Sequence, residues 1–501
     1  MTDAWLDAFF DWFYRRQPVS ATFIGVHDYD DQLPDLSDTG MRTLAAEADE
    51  LLTRLPSEPR SLDQQLAEGY LRIQRWEASS HHFNGNPVHF TGESIFGVVG
   101  LLLRERLESA RARLATIPAL LDAGVREIKQ APRAWIERAS HECQGAHVLL
   151  EDVAEAYPQL ADATHSADGA FVRFDKFLSG VTPSEDYACG AEALDLLLRH
   201  AHFSELDAEG VERLAMERIA EEEAFLRATP APDEPPAAVP SDYLGRFHTV
   251  WDAACQLARG HDLLSVPNWP VRVVERPRWA RRAAPYLYFL PYRSPAPLDP
   301  PEVVDYLVPP ASDDSTIKLN HVVHHASLGH HFQNWHAARA QSRIGQIAAV
   351  DCASRIAMLC GGTMAEGWAN YAVDLADESG FLSPSESYGQ HRVRVRMAAR
   401  AVVDIRLHQG RFGLDEAIGF YTTRVGMSPS AAQSEAVKNS LFPGAACMYL
   451  MGWDGIWRLR RELQARLSPR EFHDRVLSFG SIPVSLIARA MLEAPALAAP
   501  R

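Results

Sequence analysis

Histidine is concentrated in one short segment of the chain. Six of the twenty histidines of this 501-residue protein fall between His321 and His336. Neutral imidazole is the commonest protein ligand for zinc, and it also suits iron and copper. A metal site usually needs another donor, often a carboxylate, and Glu366 follows 36 positions after His330. The segment therefore predicts a metal site.

Helix geometry limits which of these histidines can share one ion. His321 and His325 are four residues apart, so they lie on one face of a straight helix. His324 and His330 are six residues apart, about 9 Å along the axis, and they point to different sides. This second pair can share an ion only if the helix is widened or bent, which Gly329 would permit. The residues alone leave both pairs open.

The composition excludes several classes of protein. The chain carries 49 Lys and Arg against 66 Asp and Glu, a net charge of −17. This acidic balance disfavours a nucleic-acid binder, which needs a cationic surface. No run of about 18 apolar residues exists, so we expect no membrane span. The N-terminal segment lacks a basic region and a cleavage site, and six scattered cysteines form no CxxC pair. These features predict a cytoplasmic protein without a signal peptide.

The elements that must position the histidines are mainly helical. Apolar residues recur at helical spacing over 2–16, 39–55, 60–78, 105–129, 133–157 and 205–228. Residues 271–275 and 286–290 are β-branched or aromatic and predict short strands, whereas 293–314 predicts a loop. We therefore divide the chain into a helical region (1–228), a proline-rich linker or loop (229–240), a metal-site region (241–490) and a flexible tail (491–501).

The histidine segment resembles the bacterial domain-of-unknown-function 885 family, which is grouped with zincin-type metallopeptidases. The family motif His-Glu-Ala-x-Pro-Gly-His-His-x-Gln corresponds here to His324–Gln333. The resemblance also covers Ala21–Asp30 near the N-terminus and Glu366-Gly-Trp-Ala. Further positions that match are Glu378, Gly380, Arg400, Asp404, Leu407, His408, Glu416, Ala417, Glu435, Pro443, Gly444, Tyr449 and Gly452.

This resemblance implies a fold and a ligand set. The fold would be a mostly α, zincin-like helical body with a small mixed β-sheet next to the active-site helix. The metal ligands would be His324, His330 and Glu366, with His331 and His321 in reserve. The metal would be divalent, with Zn as the first choice and Fe as the alternative, because two histidines and one carboxylate also serve non-haem iron enzymes.

The chain departs from the family pattern at the residue that matters most for hydrolysis. The Glu that activates water in zincins is replaced by His325. A neutral imidazole could accept the proton, but it could also bind the metal and fill the open position that hydrolysis needs. Leu328 replaces the motif Pro, and Lys438 and Asn439 stand at the family's Arg-Tyr pair. The metal-binding residues are kept, while those for peptide hydrolysis have changed.

Three functions follow from this pattern. The first is a metal-dependent enzyme of zincin ancestry with altered chemistry, acting on a small-molecule or peptide-like substrate. The second is a zinc peptidase that uses another base, and the third is a non-catalytic binding protein. The candidate catalytic residues are His325, Glu435 and Asp404. The candidate substrate-binding residues are Arg400, His408, Lys438, Asn439 and Tyr449. Neither the substrate's identity nor the oligomeric state follows from the sequence.

Overall fold

The computed structural model describes residues 3–287, 291–352 and 355–493, and most of them lie in helices. The helices before the proline-rich segment are α1 (Ala4–Arg16), α2 (Pro18–Ile24), α3 (Asp38–Thr53), α4 (Leu62–Ser79), α5 (His81–Asn84), α6 (Pro87–Leu102), α7 (Leu107–Glu127), α8 (Arg133–Ala156), α9 (Ala161–Leu178), α10 (Ala191–His200) and α11 (Ala208–Ala228). Within these residues, no helix is both long and apolar enough to span a membrane.

The helices after the proline-rich segment carry the histidine cluster. They are α12 (Tyr243–Gly260), α13 (Arg278–Arg281), α14 (Asp314–Thr316), α15 (His330–Ala337), α16 (Arg343–Ile347), α17 (Gly362–Glu378), α18 (Pro384–His408), α19 (Leu414–Phe420), α20 (Pro429–Leu441), α21 (Cys447–Leu463), α22 (Pro469–Ser478) and α23 (Val484–Glu493). Two π-helices span Ile317–Ala326 and Tyr421–Val425, and 3₁₀ turns span Pro158–Leu160 and Leu359–Gly361.

The β-structure differs from the single mixed sheet that was expected. Two separate two-stranded sheets form, one from β1 (Gln130–Pro132) and β2 (Thr182–Ser184) and one from β3 (Val271–Glu275) and β4 (Val304–Val308). Strands β1 and β2 are parallel. Strand β3 coincides with the predicted strand at 271–275.

Strand β4 lies inside the range predicted as a loop, so that prediction was wrong. Its sequence, Val-Asp-Tyr-Leu-Val, is rich in β-branched and aromatic residues, but flanking prolines made 293–314 resemble a loop. In the predicted strand 286–290, residues 286 and 287 form a turn and a bend, and residues 288–290 lie outside the described residues.

All six predicted helical ranges contain a helix, and one helix that was missed, α6, has a physical explanation. Helix α6 is buried on nearly every side, so its sequence shows no polar face from which a helical period could be read. Segment 229–240 is extended and largely exposed, as its five prolines predict. Of the predicted flexible tail, residues 491–493 belong to α23 and the rest lies outside the described residues.

The chain forms two compact units. Unit 1 consists of Met1–Ala193, Glu275–Pro301 and Val350–Ala357, and unit 2 consists of Leu194–Val274, Glu302–Ala349 and Met358–Arg501. The proline-rich segment 229–240 therefore lies within unit 2. All the predicted site residues belong to unit 2 as well, so the histidine cluster and its supporting helices fold together.

In unit 1, the segment that resembles the opening of the family surrounds a buried carboxylate. Asp30 accepts hydrogen bonds from Thr22 Oγ1 (2.6 Å) and His27 Nδ1 (2.9 Å), and Arg106 Nε lies 2.8 Å from its Oδ2. Gly25 has φ +97°, and the backbone nitrogen of Asp299 would lie only 2.5 Å from a Cβ at this position. These residues hold a turn in place, which accounts for their pattern without a catalytic role.

In unit 2, helices α17 and α21 cross at two glycines. A Cβ on Gly367 would lie 2.4 Å from the carbonyl carbon of Gly452, and a Cβ on Gly452 would lie 1.9 Å from the carbonyl oxygen of Thr363. Only glycine permits backbones to approach this closely. The crossing fixes α17 at the residue that follows Glu366, so the position of this carboxylate depends on helix packing.

Buried neutral histidines also hold unit 2 together. His202 donates from Nε2 to the carbonyl oxygen of Gly444 (2.8 Å). His473 donates from Nδ1 to the carbonyl of Leu263 (2.6 Å) and accepts at Nε2 from the Tyr371 hydroxyl (2.7 Å). Burial lowers the pKa of both imidazoles to about 4. Folding therefore keeps them neutral at pH values where a solvated histidine would take up a proton.

We expect acid to destabilise unit 2 through these histidines. The unfolded chain protonates them at about pH 6.5, whereas the folded chain does so near pH 4. Between these values the unfolded state binds more protons, so the free energy of unfolding falls as the pH falls. His202→Gln keeps a side-chain N–H donor but does not titrate, and it should reduce this slope by about 1.4 kcal/mol per pH unit. Urea unfolding of both proteins from pH 7.5 to 4.5 measures the slope, and equal slopes would contradict the assignment.

Candidate metal centre

Three histidines of the cluster converge on one point. The ring nitrogens of His324, His325 and His330 include one atom from each residue that lies within 4.8 Å of the other two. Their ring centroids are 4.6, 5.0 and 5.3 Å apart. The three residues lie within seven consecutive positions, so the convergence depends on the local path of the backbone.

The backbone departs from a straight α-helix in the way that the pairing of His324 with His330 requires. The first of these histidines lies in the π-helix Ile317–Ala326, in which each turn is wider than in an α-helix. Ser327 then leaves helical geometry (φ −136°, ψ −111°), and α15 starts afresh at His330. The widened helix and the break together turn the two imidazoles toward each other.

Gly329 closes the break. Its N–H donates to the carbonyl oxygen of Val323 (2.9 Å), six residues earlier. A Cβ at position 329 would lie 1.9 Å from the carbonyl oxygen of His324. No side chain can be accommodated at this distance, so the break requires glycine here. The sequence identified this residue correctly as the one that lets the chain bend.

Side chains satisfy the carbonyl groups that the break leaves without helical partners. The indole N–H of Trp251 donates to the carbonyl of Ala326 (2.9 Å), and that of Trp368 donates to the carbonyl of Leu328 (2.9 Å). The Ser327 hydroxyl donates to the carbonyl of Val322 (2.9 Å). Buried carbonyl groups without partners are costly, so these bonds stabilise the irregular backbone.

Glu366 faces the histidines from α17. Its Oε2 lies 3.6 Å from His324 Nε2 and 3.9 Å from His330 Nε2. The side chains of these three residues are 21%, 15% and 13% exposed, so solvent reaches the cluster. The structure thus brings together the three predicted ligands and places His325 beside them.

A backbone carbonyl selects the tautomer of His325. Its Nδ1 lies 2.6 Å from the carbonyl oxygen of Asn320, which can only accept, so Nδ1 carries the hydrogen. The neutral ring then has an unprotonated Nε2. Such a bond from the remote nitrogen is the usual way in which proteins orient a metal-binding histidine. Sequence reasoning did not find Asn320, because a carbonyl leaves no trace in side-chain identity.

In this cluster the imidazoles of His325 and His330 favour the neutral form, and the carboxylate of Glu366 favours the ionised form. Burial lowers the pKa of His330 to about 4 and that of His325 well below its ordinary value. Burial alone would raise the pKa of Glu366, but the imidazoles of His324 and His330 beside it hold that pKa far below the usual range. Neutral imidazole and ionised carboxylate are the forms in which these side chains bind metals.

The arrangement fits a divalent ion. An imidazole nitrogen bound at about 2.0 Å places its ring centre about 3 Å from the metal, so tetrahedral ligands have ring centres about 5 Å apart. The three observed separations are between 4.6 and 5.3 Å. Three imidazoles and one carboxylate form a donor set that suits zinc and also iron.

The remaining histidines of the segment have structural partners and lie outside the cluster. His321, a reserve ligand, has both ring nitrogens engaged, by the hydroxyls of Tyr306 (2.7 Å) and Ser312 (3.0 Å). The other reserve ligand, His331, donates from Nε2 to the carbonyl of Trp269 (2.9 Å). His336 donates from Nε2 to the carbonyl of Ser265 (3.4 Å). The histidine that lies beside the three predicted ligands is therefore His325, and neither reserve ligand does so.

Two predicted site residues pair with each other. Arg400 donates from Nε and Nη2 to the two oxygens of Glu435 (2.5 and 2.9 Å), and its guanidinium lies over the ring of Tyr449 (4.7 Å). Burial alone would raise the pKa of Glu435, but Arg400 holds it below its ordinary value. A carboxylate held in this way is a poor general base, so its predicted catalytic role gains no support. Arg400 and Tyr449 lie partly exposed and stay predictions as substrate-binding residues.

Asp404 and His408 are both buried, and Asp404 caps the start of α21. The Asp404 carboxylate accepts hydrogen bonds from the backbone N–H groups of Gly444 (3.1 Å), Ala446 (2.9 Å) and Cys447 (3.2 Å) at the start of this helix. Burial raises the pKa of Asp404 to about 7, yet both oxygens are used as a helix cap. His408 donates from Nε2 to the carbonyl of Asn439 (2.9 Å). The geometry favours structural roles for both.

The two residues at the family's Arg-Tyr position differ in burial, since Asn439 lies in the core and Lys438 lies on the surface. Asn439 is buried, accepts from the Tyr421 hydroxyl at Oδ1 (2.5 Å) and donates from Nδ2 to the carbonyl of Arg400 (3.3 Å). Its amide is thus used to position neighbouring side chains. Lys438 is exposed and stays a prediction as a substrate-binding residue.

Comparison with known proteins shows a family and a fold. A family model described as "Bacterial protein of unknown function (DUF885)" matches residues 18–491. A protein described as a "putative lipoprotein of unknown function" from Shewanella oneidensis is 19% identical with a TM-score of 0.72, and the match covers 98% of this chain and 99% of that one. The "putative lipoprotein" from Colwellia psychrerythraea is 17% identical with a TM-score of 0.72 over 97% of both chains. No curated protein matches.

We expect Gly329→Ala to disrupt the cluster. The new Cβ would clash with the carbonyl of His324, so the free energy of unfolding should fall by more than 2 kcal/mol, as for other strained backbone sites. Gly389→Ala is the matched control, because a Cβ there would meet no atom within 4 Å and alanine favours the helix by up to about 1 kcal/mol. Urea unfolding measures both. Equal stability of the two variants would show that the break does not require glycine.

Proposed function

Because the chain belongs to the DUF885 family of bacterial proteins of unknown function, we propose its function from the site: a metal-dependent enzyme of zincin-type ancestry with altered chemistry. His324, His330 and Glu366 would hold a divalent ion. His325 would complete the centre in the position where a zincin peptidase carries its catalytic glutamate. Zinc is the first choice for the ion and iron is the alternative.

The convergence of His325 with the other donors carries this proposal. Its ring centre lies 4.6 Å from that of His324 and 5.3 Å from that of His330, and the latter two are 5.0 Å apart. The bond to the carbonyl of Asn320 directs an unprotonated Nε2 away from the backbone. An imidazole in this place can bind the ion as a fourth protein donor, or it can accept a proton from a substrate beside the ion.

Either role separates this site from that of an ordinary zinc peptidase. When bound, the ion supplies Lewis acidity, which polarises a substrate oxygen and acidifies a coordinated water. The chain's own residues would then orient the substrate and hold the proton at His325 Nε2. The second candidate, a zinc peptidase with another base, has little support, since Glu435 and Asp404 already have hydrogen-bonding partners on both oxygens.

The substrate we propose is a small molecule or a short peptide-like compound. The ligand side chains are between 13% and 21% exposed, which leaves the cluster accessible but recessed. The predicted cytoplasmic location stays a prediction. Two similar solved structures are described as putative lipoproteins, and that description applies to those proteins.

Elemental analysis tests whether a metal is present. Protein purified without added metal should contain close to one equivalent of zinc or iron. His324→Ala should weaken binding of the ion at least about tenfold, because His324 is a proposed ligand whichever role His325 has. His248→Ala is the control, because His248 is an exposed histidine of unit 2 outside the cluster. A metal-free wild type that takes up no zinc or iron on titration would exclude this function and leave the non-catalytic alternative.

Restoring the family residue tests whether the chemistry has changed. We expect His325→Glu to gain hydrolysis of peptide substrates, because a carboxylate in this position can serve as the general base that zincins use. The wild type should lack this activity under the same conditions. Peptide hydrolysis by the zinc-loaded wild type would contradict the proposal and favour the peptidase. The comparison uses equal zinc loading, measured for each sample, so that a difference in occupancy cannot account for the result.

A further inference from the structure

A cavity in unit 1 contains a carboxylate that has no hydrogen-bonding partner among the described residues. The cavity has a volume of about 170 Å³, and its lining includes Glu93, Arg355, Phe83, His89, Leu33 and Met41. Glu93 projects from α6. Among the residues that the structure describes, none lies within hydrogen-bonding or ion-pairing distance of its carboxylate. A charged group in such a place is costly unless it is paired.

The cationic side chains of the cavity already have counter-charges. Arg16 donates from Nε and Nη2 to the two oxygens of Glu47 (2.6 and 2.5 Å). Arg355 donates to Glu77 (2.7 and 3.4 Å). Arg15, which also lines the cavity, shares Glu47 with Arg16. The carboxylate of Glu93 is the one that has no hydrogen-bonding or ion-pairing partner among the described lining residues. An anionic ligand would have to compete with carboxylates for the arginines, whereas a cationic ligand would meet a carboxylate that is available.

The remaining wall is part polar and part apolar, and its apolar part would accommodate the apolar body of a ligand. Leu33 and Met41 line one side, and the ring of Phe83 packs against that of His89 (centroids 4.0 Å apart). A cavity of about 150 Å³ holds one benzene molecule. The space therefore suits a ring or a short alkyl chain that bears one charged nitrogen.

We propose that this cavity binds a small cationic amine through an ion pair with Glu93, with the apolar part of the ligand against Leu33 and Met41. Burial raises the pKa of Glu93 to about 7, although the charges of Arg355 and Arg113 act in the opposite direction. The proposal concerns unit 1 alone, so it does not depend on the metal centre.

Calorimetry with three probes of one shape tests the proposal on the full chain at pH 8. Benzylamine carries a positive charge, benzyl alcohol is neutral and benzoate is negative. Benzylamine should bind at least tenfold more tightly than benzyl alcohol, and benzoate should bind more weakly still. Tighter binding of benzoate, equal binding of all three probes, or no binding of benzylamine would overturn the proposal.

Three variants assign the binding to this cavity. Glu93→Gln should weaken benzylamine at least tenfold while leaving benzyl alcohol unchanged. Leu33→Trp fills the space without altering the carboxylate and should abolish binding of both. Glu155→Gln removes a carboxylate that is 71% exposed and lies outside the cavity, and it should change neither. Unchanged benzylamine binding in Leu33→Trp overturns the proposal even if Glu93→Gln fails to fold.

Discussion

The six-residue spacing between His324 and His330 is the constraint on which the site depends. An α-helix would direct these imidazoles to different sides, so the backbone must leave α-helical geometry between them. The wide π-turns and the break after Ala326 do this. Both features cost stability, because an irregular buried backbone loses regular hydrogen bonds. Side chains from neighbouring elements replace some of the lost backbone hydrogen bonds.

The compensating interactions come from residues other than the three histidines and Glu366. Trp251 and Trp368 donate to two carbonyls at the break, and Gly329 supplies the space in which the chain turns. Trp368 lies on the same helix as Glu366, two positions away. Helix α17 therefore contributes both a predicted ligand and a support for the segment that carries the others. Its close contact with Gly452 fixes both at once.

The sequence predicted the parts of the site that side-chain identity specifies. The resemblance to the family supplied the predicted ligands His324, His330 and Glu366, which lie close together in the structure. The need for a bend at Gly329 followed from helix geometry. Asn320 could not be predicted, because it acts through its carbonyl group. The hydrogen bonds of Glu435 and Asp404 could not be predicted either. Their partners, the side chain of Arg400 and the backbone N–H groups of residues 444–447, become neighbours only when the helices pack. Strand β4 was missed for a different reason, because the prolines that flank it made this range resemble a loop.

The placement of three donors within seven consecutive residues has a consequence for folding in the presence of metal. Closing so short a loop costs little chain entropy, so an unfolded molecule could already chelate an ion through the same imidazoles. Such binding lowers the stabilisation that the ion confers on the native state. Glu366, 36 residues further along, is the donor that only the folded chain can add. The difference in affinity between the native and denatured chains would therefore depend largely on one carboxylate and on the geometry of the break.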